Sequence, residues 1–194
     1  MNTENKFFTF IRPYLNLIDT GRLFRNPFSW IYILFAAANI LFPLFLVYDV
    51  VDRNFFDYAD SKLIIVFIFT FLFISFACWL GFQLWLDRKN KVITSSSEDD
   101  EFVATHVFSH FVQTFGEWLG TWIAIVGFGV SLIATIVLGD EAGSISYVLG
   151  MDFIEFGIMG IILMPIYGFM IIIVTRFIAE ASRALASIAN NTKK

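Results

Sequence analysis

Between Phe156 and Thr175 the chain carries no charged residue. About 20 consecutive, predominantly apolar residues make one helical crossing of the hydrocarbon core of a bilayer. The pattern then reaches Arg176, Glu180 and Arg183 in a register that still reads as helix. A span that becomes a polar helix at one end distinguishes the two sides of a membrane.

The rest of the chain has the same character. Of its 194 residues 58% are hydrophobic, only 15% are charged and 25 are phenylalanine; the mean hydropathy is +0.74. A soluble domain carries roughly a quarter of its residues as charges, so this excess apolar surface needs lipid as its solvent. Cys78, the sole cysteine, excludes an intramolecular disulfide and lies in an apolar run as a packing thiol. The first apolar run, from near Phe28, ends at Tyr48-Asp49 with no small-residue cleavage site and is expected to be a retained span.

Four spans are expected, at about 28–48, 63–86, 118–138 and 154–175, within a single membrane domain covering 1–194. Residues 5–19 alternate apolar and polar side chains around Pro13, as an amphipathic segment lying in the interface does. Trp30 and Tyr32 stand at the start of span one as interfacial aromatics. Pro43 lies inside that span and crowds the carbonyl of Asn39; a kink satisfied by a neighbouring helix is expected there, with Pro165 kinking span four in the same way. Ser95-Ser96-Ser97 followed by Glu98-Asp99-Asp100-Glu101 reads as a helix start, and Asp152 with Glu155 as a capping-box-like pair.

The helix starting at Glu98 should run to Leu138, on the order of 60 Å, longer than a membrane needs. Its first part, about 98–117, and the stretch 176–189 are expected to form an antiparallel pair of cytoplasmic extensions. In the first, Val107, Phe108, Phe111 and Phe115 oppose His106, Ser109, His110, Gln113 and Glu117. Gly116, Gly120, Ala124, Gly127, Ser131 and Thr135 recur every three or four residues. They form a small-residue ridge around which spans two and four should pack.

Charge fixes the expected orientation. Lys6, Arg12, Arg22, Arg25, Arg88, Lys89, Lys91, Arg176, Arg183, Lys193 and Lys194 fall on one side in this scheme, and only Arg53 and Lys62 on the other. The positive-inside rule then places both termini and the central loop in the cytoplasm. The expected location is a plasma (inner) membrane, crossed several times.

Few groups suggest chemistry. Glu117 and Arg176 fall at the inner boundary on antiparallel spans and should approach as a structural clasp, with Glu180 as the competing partner of Arg176. His106 and His110, one turn apart, are weak candidates for a metal site needing a third ligand. No glycine-rich phosphate loop, cysteine pair or Gly-x-Ser-x-Gly elbow is present. A non-catalytic protein without cofactor is expected: an accessory or assembly subunit presenting cytoplasmic helices to a membrane-protein partner or a second copy. Its surroundings are the lipid bilayer, not nucleic acid. The alternatives are a small transporter or oligomeric channel subunit, resting on Asn39, Pro43 and Pro165, and a metal- or haem-binding redox subunit, resting on the two histidines.

The tail Arg176-Phe-Ile-Ala-Glu180 followed by Ile188-Ala-Asn-Asn191, an Arg-x3-Glu-x7-Ile-x2-Asn pattern, resembles the ending of a family of small bacterial membrane proteins of unknown function. Leu23-Phe-Arg-Asn-Pro27 through Tyr32 is similar to that family's start. The likeness covers about a quarter of the chain. Four spans rather than two, and Ala186 in place of an aromatic, depart from the pattern. The resemblance implies a helical membrane protein and assigns no activity.

Overall fold

The computed structural model describes residues 11–19, 22–93, 103–143 and 157–192. The serine-acid run at 95–101 and the Asp152/Glu155 pair lie outside the described residues, as do positions 5–10 of the amphipathic segment. The protein is all-α, with no strand among the described residues. We number the helices α1 (Arg12–Asp19), α2 (Arg22–Asp52), α3 (Phe55–Tyr58), α4 (Ser61–Ile93), α5 (Val103–Leu138) and α6 (Ile158–Thr192). The four long ones, α2, α4, α5 and α6, are each long and apolar enough to cross a membrane.

Each long helix exceeds the length of a crossing. At 36 residues α5 is about 54 Å long, against roughly 30 Å of hydrocarbon. Local chemistry sets several ends. The Asp60 carboxylate accepts a hydrogen bond from the Leu63 N–H at 2.8 Å, capping the start of α4. Gly139, at φ +59°, takes the left-handed conformation that closes α5, and a 3-10 turn over Gly139–Gly143 follows. The helices continue through their prolines, α2 through Pro27 and Pro43 and α6 through Pro165.

The helices pack chiefly in chain order: α2 on α4, α4 on α5, and α5 most extensively on α6. The glycine ridge explains that last interface. A Cβ at Gly116 would collide with the Thr175 side chain, at Gly120 with the backbone carbonyl of Gly168, and at Gly127 with Met164. Gly168 in turn has no room for a Cβ beside Gly120 and Ala124. Backbone thus meets backbone at the Gly120–Gly168 crossing. The ridge glycines Gly116, Gly120 and Gly127 face α6; α4 meets α5 elsewhere, where Phe73 fills the space over Gly129 and Trp118 lies against Gly81.

Large apolar side chains cover the outside. Leu34, Leu41, Leu44 and Phe45 on α2 and Phe169 and Met170 on α6 are exposed, as expected of surfaces solvated by lipid. The inside is aromatic towards one end. Tyr32 and Trp85 are fully buried and meet edge to face at 5.0 Å. Phe35 stacks on Trp85 at 4.6 Å, and Phe111 and Trp118 complete the cluster. Tyr32 is therefore a core residue rather than an interfacial one. Trp30, two residues earlier, is 72% exposed.

Candidate functional site

The chemistry-bearing groups gather where the start of α5 lies against the end of α4 and the second half of α6. Glu117 on α5 is at the centre, its side chain only 10% exposed. Arg88 on α4 binds it with two nitrogens on one oxygen, Nη2 to Oε2 at 2.9 Å and Nε to Oε2 at 3.1 Å. From α6, Arg176 brings Nε to 3.4 Å from Oε1. Gln113, one turn before Glu117 on α5, donates Nε2 to the same Oε1 at 2.9 Å. The Oε1 of Gln113 accepts from Arg183 Nη2 at 2.9 Å. Three helices are thus tied through one carboxylate and one amide.

A carboxylate this buried persists as an ion only when paired and hydrogen-bonded, and both of its oxygens are taken. Glu180, by contrast, is exposed, and no ion pair to it occurs among the described residues. Arg176 turns to the neighbouring helix instead, consistent with the weakness of a cation-before-acid pair within one helix.

The polar face of α5 is also placed inside rather than outside. Ser109, Gln113, Thr114 and Glu117 are buried, whereas Phe108, from the opposite set, is 57% exposed. Neighbouring helices give this face its partners: Arg183 and Arg176 from α6 for Gln113 and Glu117, and Arg88 from α4 for Glu117. Thr114 donates to the His110 carbonyl at 2.8 Å and receives the Tyr32 hydroxyl at 3.2 Å.

His106 and His110 are both half-buried. The His106 carbonyl accepts from Ser109 Oγ at 2.9 Å. Among the described residues, no group of three or more His, Cys, Asp or Glu side chains could hold a metal ion. Glu117 is engaged by two arginines and a glutamine, and supplies the histidines with no third ligand in this arrangement.

Near the middle of α2, Asn39 is buried and makes two hydrogen bonds. Its Nδ2 donates to the Phe35 carbonyl at 2.8 Å, and its Oδ1 accepts from Trp118 Nε1 at 3.0 Å. The helix preceding Pro43 is thereby tied to α5. Beside it lies an apolar cavity of about 330 Å³, lined by Phe35, Asn39, Phe42, Cys78, Trp118 and Trp122. With both Asn39 amide ends occupied, the cavity wall is essentially hydrocarbon. Pro165 is half-buried within α6. Ser131, on the small-residue ridge, is fully buried and its carbonyl accepts from Thr135 Oγ1 at 2.7 Å.

Sequence reasoning pointed to Glu117 and Arg176 but missed Arg88, Gln113 and Arg183 as their companions. Arg88 was legible only as one of the charges flanking a span. Gln113, one turn from Glu117, was legible as a neighbour on its face, but its bonds to Glu117 and Arg183 were not. Compared with known proteins, the chain matches no family model, no curated protein and no solved structure.

Proposed function

We propose that this chain is a non-catalytic integral membrane protein that serves as an accessory or assembly subunit. In this reading the arginine-rich end faces the cytoplasm and the membrane is the plasma membrane. The protein offers the inner ends of α5 and α6 to a membrane-protein partner or a second copy. One observation carries the proposal. Beyond Arg176, α6 continues to Thr192 with Phe177 71%, Leu185 68% and Ile188 59% exposed. Ala179 and Ala186, on its other side, are buried. A helix that has passed the charged boundary yet keeps large apolar groups uncovered is suited to meet another apolar surface.

Photo-crosslinking residues placed at Leu185 and Ile188 in native membranes test this, with Leu34 on the lipid-facing side of α2 as control. Discrete protein adducts should form from the two α6 positions and not from Leu34, and Leu185→Glu should abolish those from Ile188. Lipid adducts alone from all three positions would contradict the proposal. The same purified protein, reconstituted in liposomes, should show no solute or ion flux; reproducible flux would favour a transporter or channel subunit. Its absorption spectrum and metal content address the redox alternative, and both should be blank.

A further inference from the structure

We propose that Arg176 and Arg183, with Arg88 behind them, form a binding site for the phosphodiester of an anionic phospholipid headgroup. The charge balance is the first reason. Three guanidinium groups converge on one carboxylate and one neutral amide. Among the described residues, the other acids on these helix stretches do not pair with them: Asp87 pairs with Lys91 at 3.2 Å, and Glu180 is exposed and makes no ion pair. Among the described residues three guanidiniums thus share one carboxylate, and a further anion is attracted to them at a boundary of reduced dielectric constant.

Donor capacity is the second reason. A guanidinium carries five N–H donors. Arg176 directs Nε to Glu117, and Arg183 directs Nη2 to Gln113; among the described residues no acceptor takes the two Nη groups of Arg176, which can serve a second one. Its side chain is 53% exposed, so an incoming group can reach it. Glu117 fixes the guanidinium from one side, which lowers the entropy lost when its outer edge clamps phosphate oxygens bidentately.

Position is the third reason, and it favours a lipid over a free ion. Ile173 and Val174, which precede Arg176 on the membrane side of α6, are both exposed. A phosphodiester seated on Arg176 would have its acyl chains running along this apolar wall, in the lipid that already solvates it. Basic groups between helices at a membrane boundary recognise headgroups in this way.

The test uses the full-length protein in mild detergent, with thermal unfolding and native mass spectrometry as readouts. Phosphatidylglycerol, phosphatidylcholine and inorganic phosphate are added separately at equal concentration. Wild type should retain phosphatidylglycerol and gain more thermal stability from it than from phosphatidylcholine. The Arg176→Gln/Arg183→Gln variant should lose at least about tenfold in apparent affinity for phosphatidylglycerol, equivalent to roughly 1.4 kcal/mol. The Arg176→Lys/Arg183→Lys variant, keeping charge but losing the fork, should fall between. Equal retention of both lipids by wild type would overturn the proposal without recourse to any variant. So would an undiminished preference in the glutamine variant. An equal effect of inorganic phosphate would overturn the lipid assignment.

Discussion

Glu117 is the residue on which the packing of three helices converges, and its neighbours differ in how much they should matter. Its own side chain is 10% exposed, that of Arg88 24% and that of Arg176 53%. Removing the carboxylate leaves two guanidiniums facing each other across a partly buried site, so Glu117→Gln should cost on the order of 3 kcal/mol. Arg176→Gln removes a half-exposed, solvent-screened partner and should cost under about 1 kcal/mol. Unfolding free energies of the two variants in mixed micelles check this; an equal cost would mean that burial does not grade the site. Asn39 gives a second, smaller prediction. Trp118→Phe removes the donor to its Oδ1, a single interhelical hydrogen bond at membrane depth worth about 1 kcal/mol. Combined with Asn39→Ala, it should show coupling of that size in a double-mutant cycle, and strict additivity would mean the bond is idle. At this scale the sequence was legible where a residue's cost in lipid forces a partner, as at Glu117. It was not legible in the choice among partners. Arg88, Gln113 and Arg183 are ordinary boundary residues until the helix rotations are known.

Among the elements, α5 and α6 make the closest contact, and two glycines decide it. A Cβ at Gly120 meets the backbone carbonyl of Gly168, which can move only if the helices separate; at Gly127 it meets Met164, a flexible side chain. Gly120→Ala should therefore be the more damaging change, by about 1–3 kcal/mol, while Gly127→Ala should be absorbed by a Met164 rotamer at smaller cost. Thermal unfolding of the two variants, with a disulfide engineered between α5 and α6 as a proximity reporter, tells them apart. Element identity and approximate extent were plain from the hydropathy pattern, because twenty apolar residues in a row admit few structures other than a crossing helix. Rotation about the helix axis was less plain. In lipid both apolar and small faces satisfy the solvent, so periodicity does not say which face is inside. The Ser109–Gln113–Glu117 side of α5 is buried, and α6 brings Arg176 and Arg183 to it. The small-residue ridge was an exception, since glycines at Gly116, Gly120 and Gly127 invite another backbone.

For the molecule as a whole, four helices long and apolar enough to cross a membrane are in place, and their order in the chain alternates their direction. The end of α4, the second half of α6 and the first half of α5 come together at Glu117, and Asp57, between α2 and α4, and Asp140, after α5, are exposed. The proposed orientation, arginine cluster inward, carries both the partner-docking reading and the leaflet from which a headgroup would be drawn. Single cysteines at Asp57, Ser96 and Asp140, in a Cys78→Ala background and probed in intact cells with a membrane-impermeant maleimide, test it directly. Asp57→Cys and Asp140→Cys should label from outside, and Ser96→Cys only after permeabilisation. Labelling of Ser96→Cys from outside, with the other two protected, would reverse the protein in the membrane; Asp57→Cys and Asp140→Cys reacting from opposite faces would break the four-crossing arrangement itself.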